Sequence, residues 1–447
     1  MAVRGPPCFF CPGGHWLCHN LFMTTVAQTA GILSFEQACD TVLGYCLRIV
    51  APQTEAVPLL TADGRVLAEP VRADRDFPPF PRTTRDGYAV RAADLGSLPA
   101  TLTVIGQIKA GAGFSRTVES GQAVEIMTGA ALPDGADAVV MVEYTAQNGD
   151  LVTIKRAVAG GENVVPAAAE ARAGQELLPA GQRIRPAHIA MAAAVGKEKL
   201  TVYRKPRVAI LATGDELVDV SQVPGPQQVR NSNTYSLAAQ VAESGGEPLR
   251  LPVAPDEERK LTTLIHAAIE QADMLLLSGG VSMGKFDLVE QALTRLGATF
   301  FFTGAQIQPG KPVVFGEIPT TRVNGKREKV PGTPGTMPLF GLPGNPVSVM
   351  VTFDLFVRPV LQALGGAVPT RLPAVRARMA GDFKTKTGLT RFLPALLTGG
   401  VYDPQVAVIP WQGSGDLLAS ARANCYLVVP PDREAIVAGE MVSILVR

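Results

Sequence analysis

Apolar and polar positions along the chain fall into a few distinct periods. In residues 34–50 (SFEQACDTVLGYCLRIV) the apolar residues recur near every 3.6 positions. Ser34, followed by Glu36 and Gln37, predicts a capped helix start there. Residues 76–90 (DFPPFPRTTRDGYAV) are proline-rich, and each proline biases its predecessor away from the helical region, so an extended run is expected. Between 101 and 172 come short β-like runs, TLTVIGQI, AVEIM, ADAVVMVEY and DLVTIKRAV. Turn residues such as Asn148-Gly149-Asp150 separate them, which predicts a small β-rich module.

From residue 206 the period changes again. RVAILATG, EPLRLPVA, DMLLLSGG and PLFGLPGNP read as strands, each leading toward a segment of helical period, and Asp256 is the expected cap of the helix DEERKLTTLIHAAIEQA. This alternation predicts a parallel sheet wrapped by helices. From about 370 onward RARMAG, FLPALLT, QVAVIPW, CYLVVP and MVSILV return to β character, a second small β domain. The fold class is multidomain α/β plus β.

At 447 residues the chain has room for several domains with real cores. Its 41 Lys+Arg balance 40 Asp+Glu, for a formal charge of +1, so no basic field for nucleic acid is expected. Hydrophobic residues at 47% with charged residues at 18% describe a folded chain. The four histidines narrow the chemistry further: His188 and His266 lie in helix-like stretches away from any glycine loop, and His15 and His19 lie near the N-terminus. A histidine triad or histidine zinc site in the body of the chain is therefore not expected, and carboxylates, Lys, Arg, hydroxyls and backbone amides must carry any reaction. Cys39, Cys46 and Cys425 read as small buried hydrophobes rather than a disulfide framework, which fits a cytoplasmic protein.

Residues 5–35 carry no charge, but Pro6, Pro7, Pro12, Gly13 and Gly14 interrupt the apolar run a signal peptide needs. Cys8, Cys11, His15 and Cys18 have partly metal-like spacing. The plainer reading is an extension without fixed structure, or a start at Met23. The uncharged run 330–353 carries Pro331, Pro334, Pro338, Pro343 and Pro346, so no membrane span is expected.

In open parallel α/β sheets ligands bind beyond the carboxyl ends of the strands. Three loops fall at that edge: Ala212-Thr213-Gly214-Asp215-Glu216, Ser278-Gly279-Gly280-Val281-Ser282-Met283-Gly284, and Gly341-Leu342-Pro343-Gly344-Asn345-Pro346. Glycine lets a backbone approach a ligand, and N–H groups at helix starts favour phosphate or other anions. One such loop is commonly a plain turn; three on one edge predict a binding cleft. Asp215, Glu216 and Asp287 follow strand ends, where carboxylates can hold Mg²⁺; helix capping is the alternative for the first two. Lys311, between prolines in Gln308-Pro309-Gly310-Lys311-Pro312, is either aimed at an anion or solvated. Asp86 in RDGYAV and Thr128 in EIMTGA lie far from this domain in sequence and could mark turns only.

The motifs RDGYAV, EIMTGAALPDGADAVVMVE, AILATGDEL, SGGVSMGKFD, QPGKP, GLPGNPVS and QGSGDLLASARAN resemble, in order and approximate spacing, the MoeA family of molybdopterin molybdenumtransferases, which includes the E domain of gephyrin. The resemblance runs from about residue 33 to 447. It implies an extension at 1–32, a linking and dimerisation domain from 33–82 and 173–205, a β-rich inserted domain at 83–172, a molybdopterin-binding α/β domain at 206–368 and a β-barrel-like domain at 369–447. It further implies a homodimer with its cleft between one subunit's α/β domain and the other's β-rich module. The implied reaction takes adenylylated molybdopterin, releases AMP and inserts molybdate with Mg²⁺ present.

Residue by residue, the resemblance makes Asp86 the catalytic aspartate supplied across the dimer, with Glu216, Asp287 and Lys311 also catalytic. Glu216 and Asp287 become the Mg²⁺-side acids. Thr128, Gly214, Asp215, Ser278, Gly279, Gly280, Ser282, Gly284, Pro343, Gly344, Asn345 and Pro346 become substrate-side positions, and Lys311, Arg391 and Ser414 molybdate-side positions. The chain departs from the family at Arg85, where many members have methionine, and at 388–394, where Arg391 stands two residues from the usual guanidinium. Other proteins of molybdenum cofactor biosynthesis are the expected partners. A clustering scaffold and a hydrolase that cleaves the nucleotide without inserting metal are the rival functions.

Overall fold

The computed structural model describes residues 31–50, 52–280, 288–320 and 335–447. The chain divides into two compact units, one of Ala51–Pro206 with Gln362–Val368, the other of Met1–Val50, Arg207–Leu361 and Pro369–Arg447.

In the first unit, β1 (Arg82–Thr83) precedes a six-stranded sheet of β2 (Gly87–Val90), β3 (Ala100–Ile108), β4 (Gln122–Ile126), β5 (Ala138–Met141), β6 (Thr145–Asn148) and β7 (Leu151–Ile154). Their order is β5-β2-β4-β3-β7-β6. Both faces are covered, which is why GYAV and AVVM are apolar throughout rather than alternating. Period-2 geometry sends Tyr88, Val90, Ala123 and Val140 to one core and Ala89, Val124 and Val139 to another. At Gly87 a Cβ would stand 1.9 Å from Val140 O, so only glycine lets β2 and β5 pair there. The segments flanking this sheet meet in a separate core, where strand Thr54–Pro58 pairs antiparallel with Lys199–Tyr203 over Leu67, Ile184, Ala192 and Leu200.

The second unit opens with α1 (Phe35–Cys46). Ser34 Oγ accepts from the Gln37 N–H at 3.2 Å and Gln37 Oε1 accepts from the Ser34 N–H at 3.0 Å, so the cap pairs with Gln37. The α/β sheet follows: β8 (Arg207–Ala212), α2 (Asn233–Glu243), β9 (Glu247–Arg250), α3 (Glu258–Gln271), β10 (Met274–Ser278), α4 (Leu288–Arg295), β11 (Thr299–Phe302), β12 (Ile307–Gln308), β13 (Val314–Pro319) and β14 (Thr336–Leu342). Within it the order is β9-β8-β10-β14-β13-β11. The parallel sheet expected from the sequence holds for β9, β8, β10 and β14, but β13 and β11 join antiparallel. A parallel neighbour needs a long crossover, usually a helix, and between β11 and β13 the described chain carries none. The helix cap also differs by one position: Glu257 precedes α3, while Asp256 Oδ1 accepts from the Thr213 hydroxyl at 3.1 Å.

After β14 one helix, α5, runs Pro346–Leu364, with a π-helical turn at Phe353–Val357. It is long and apolar enough to cross a membrane, yet 89% buried, so it is a core helix. The prolines that argue against a span in the sequence precede it or stand at its first position, where proline fits a helix. Buried Asp354 on this helix accepts from the Tyr426 hydroxyl at 3.1 Å and lies 3.8 Å from the Arg447 guanidinium; burial pushes its carboxyl up and the Tyr426 phenol well above its ordinary value.

Beyond α5, β15 (Ala374–Met379), β16 (Thr390–Gly400), β17 (Asp403–Val408), β18 (Cys425–Val429) and β19 (Met441–Val446) pair in the order β16-β17-β15-β19-β18, and β18 pairs back to β16. This closes a small barrel filled by Ala377, Leu393, Ala395, Val406, Leu427 and Ile444. β12 adds to β16 in parallel, setting Gln308 beside Arg391.

Candidate functional site

Asp86 and Thr128 fall in the first unit. Asp86 ends the turn between β1 and β2, and its exposed carboxylate is held at one oxygen: Thr128 donates to Oδ1 from its N–H at 2.7 Å and its hydroxyl at 2.9 Å. The backbone hydrogen bond and then the hydroxyl stabilise the anion and hold its pKa below the ordinary aspartate value. On the chain side, Asp86 O accepts from the Val142 N–H at 3.1 Å. The two motifs, far apart in sequence, therefore form one site, an ionised carboxylate of fixed orientation.

The remaining candidates belong to the second unit. β8, β10 and β14 are neighbours in register, with Ala212 opposite Ser278 and Ser278 opposite Leu342, so their carboxyl ends and the loops that follow stand side by side. The Thr213 N–H donates to Ser278 O at 3.1 Å and the Gly279 N–H to Leu342 O at 3.2 Å. Gly214 has φ +141°, and a Cβ there would lie 2.4 Å from the Glu216 carboxylate, which folds back over the glycine. Asp215 and Glu216 are exposed and cap no helix; Asp215 Oδ1 accepts from the Asp256 N–H at 3.1 Å.

Around the start of α5 the third loop meets the barrel. Asn345 is the N-cap without a side-chain cap bond, and Pro346, which has no N–H to leave unpaired, is the first helical residue. The Val347 N–H donates to Ser414 O at 3.0 Å, which brings the 412–416 loop onto this terminus. Gly310 packs against the same helix, where a Cβ would meet Thr352 Cγ2 at 2.4 Å. Lys311 follows it, exposed. Arg391 is 7% exposed, and its Nη1 donates to Leu389 O at 3.1 Å. It has no carboxylate partner among the described residues, and burial pulls its pKa down. A buried cation paired only with a carbonyl is suited to an incoming anion.

Asn233, the first residue of α2, is the member that sequence reasoning missed. Its Nδ2 donates to Ser278 Oγ at 3.0 Å and to Gly344 O at 2.7 Å, tying the second loop to the third. Its Oδ1 is buried and without a partner among the described residues. The only signal in the chain was the polar run Asn231-Ser232-Asn233, which reads as ordinary helix capping. Ser282, Gly284 and Asp287 lie outside the described residues, as do Cys8, Cys11, His15 and Cys18. Among the described residues no group of three or more His, Cys, Asp or Glu is placed to hold a metal by itself.

Comparison with known proteins agrees with this fold. The family model described as the MoeA N-terminal region (domain I and II) matches residues 33–196, a probable molybdopterin binding domain matches 209–363, and the MoeA C-terminal region (domain IV) matches 376–446. A molybdopterin molybdenumtransferase of Nostoc sp. is 39% identical over 401 residues, covering 88% of each chain. One of Bacillus subtilis is 35% identical over 402 residues, covering 88% of this chain and 90% of its own. The crystal structure of the molybdopterin biosynthesis MoeA protein from Pyrococcus horikoshii OT3 superposes with a TM-score of 0.75 at 31% identity, covering 93% of this chain and all of that one. Fold and relatives thus define a transferase of molybdenum cofactor biosynthesis. The chain belongs to the MoeA family of molybdopterin molybdenumtransferases.

Proposed function

We propose that this transferase inserts molybdate into adenylylated molybdopterin with release of AMP, that Mg²⁺ assists, and that it works as a cytoplasmic homodimer. The observation that supports the reading is the row of three loops at adjacent parallel strand ends, with the Ser414 loop bonded to the start of α5 that follows the third loop. Gly214, Asp215, Ser278, Gly279, Gly280, Pro343, Gly344, Asn345 and Pro346, with Ser282 and Gly284, cradle the pterin and its phosphates. Lys311, Arg391 and Ser414 hold the molybdate oxyanion, and Thr128 orients Asp86, which the partner subunit supplies.

Glu216 offers carboxylate oxygens at a strand end, with Asp287 as the second acid, and Mg²⁺ needs one or two carboxylates before phosphates and waters complete its shell. Bound there, it would neutralise phosphate charge. Cleavage of the anhydride depends on positioning and charge neutralisation more than on a strong base. Water attacks the adenylyl phosphorus, the bond to the molybdopterin phosphate oxygen breaks and AMP leaves; molybdate then bonds to the two dithiolene sulfurs through molybdenum, one of its oxygens leaving as water with the two thiol protons. Other proteins of the same biosynthesis supply the adenylylated substrate and accept the product.

The decisive experiment is AMP release from adenylylated molybdopterin with Mg²⁺, with and without molybdate, beside Asp86→Ala. Molybdate-dependent release that the variant loses is expected. Release indifferent to molybdate would instead make the protein a hydrolase, and none at all a binding scaffold.

A further inference from the structure

We infer that Thr83 is a positioning residue for Asp86, its buried hydroxyl holding the turn that presents the carboxylate; this rests on the proposal that Asp86 acts in the reaction. Thr83 is 0% exposed at the end of β1, and its polar groups reach both sides of the Asp86–Thr128 contact. Its N–H donates to Ala130 O at 3.1 Å and its carbonyl accepts from the Gly129 N–H at 2.9 Å, which fixes the segment directly after Thr128. Its Oγ1 accepts from the Arg85 N–H at 3.1 Å and donates to Arg85 O at 2.7 Å, which fixes the peptide directly before Asp86. Thr128 then closes the circuit by donating twice to Asp86 Oδ1.

The backbone bonds of Thr83 would survive a change of side chain, whereas both Arg85 bonds need the hydroxyl. Arg85 and Asp86 are exposed, so without Oγ1 water would serve the Arg85 peptide and the turn would be free to rotate. Thr83→Val keeps the shape and the β-branch and removes only the hydroxyl; Thr83→Ser keeps the hydroxyl.

The experiment measures kcat and KM for molybdate-dependent AMP release in Thr83→Val and Thr83→Ser beside the wild type. A misplacement of about 1 Å in a reacting group can cost about a hundredfold, so Thr83→Val should lower kcat by roughly tenfold to a hundredfold with KM within about twofold. Thr83→Ser should retain most activity. No loss in Thr83→Val, or equal loss in Thr83→Val and Thr83→Ser, overturns the inference. A second measurement does not depend on turnover. In ¹⁵N-threonine-labelled protein the Thr128 amide, which Asp86 accepts, should exchange with solvent severalfold faster in Thr83→Val than in Thr83→Ser. Unchanged exchange overturns the inference whether or not the protein releases AMP. Absence of AMP release from the wild type counts against the proposed function alone.

Discussion

Asp86 gains its character from two atoms of one neighbour. Thr128 donates both of its hydrogen bonds to Oδ1 and holds the pKa below the ordinary aspartate value. A group whose folded-state pKa is depressed favours folding above its unfolded pKa, and that contribution is lost as pH falls through the lower folded value. In the proposed reaction the same ordering would set the acid limb of activity, since Asp86 remains ionised at pH values where an unassisted aspartate would begin to protonate. Thr128→Val removes the hydroxyl and leaves the backbone donor, so the acid limb of kcat/KM for AMP release should move to higher pH, toward the ordinary aspartate value. An acid limb that stays put would mean that another group controls it. Arg391 makes the opposite case, a cation buried without a carboxylate partner among the described residues. Such a charge adds little to stability, since desolvation offsets its interactions. Arg391→Met should therefore leave thermal unfolding unchanged or slightly raised, while the molybdate concentration for half-maximal turnover rises tenfold or more. A lower melting temperature with unchanged molybdate dependence would make Arg391 structural.

At the scale of elements, strands and loops were legible where the information is local. Apolar runs ending in glycine gave β8, β10 and β14 and their loops, because a strand buried on both faces has no polar alternation to hide it. The antiparallel seating of β13 and β11 was not legible, since a strand's own residues do not encode the direction of its neighbour. Closure of the barrel by β16 and β18 depends on register over about thirty residues of chain, beyond any local period. The links made by Asn233 and Thr83 escaped for another reason: Asn and Thr are ordinary cap and strand residues, and only their partners mark them out. Gly87 is an element-scale requirement that looked like a turn in sequence. A Cβ at this position would collide with Val140 O on the neighbouring strand, and backbone cannot step aside as a flexible side chain can. Gly87→Ala should lower unfolding stability by about 2–3 kcal/mol, the upper range for overpacking, measured by denaturant titration. A loss below about 0.5 kcal/mol would show that β2 and β5 can separate without strain.

For the whole molecule, the division of labour is the feature that invites a test. Asp86 and Thr128 lie in one compact unit, and the strand-end loops with Lys311, Arg391 and Ser414 in the other. The proposed homodimer pairs the first set from one subunit with the second set from its partner, which makes a numerical prediction. Asp86→Ala alone and Lys311→Ala alone should each be nearly inactive, because every site in either homodimer lacks one group. When the two variants are mixed and subunits exchange at random, half of the dimers are hybrids. In a hybrid, the intact Asp86 of one subunit faces the intact Lys311 of the other at one site, while the second site carries both lesions. Activity should therefore recover to about a quarter of the wild-type value in a symmetric two-site dimer. If Asp86 acted within its own subunit, each site would still carry one lesion and no activity would return. Native mass spectrometry of the mixture, with one variant isotopically labelled, measures the hybrid fraction directly. Hybrids formed in full without recovered AMP release would place Asp86 and Lys311 in the same subunit's site.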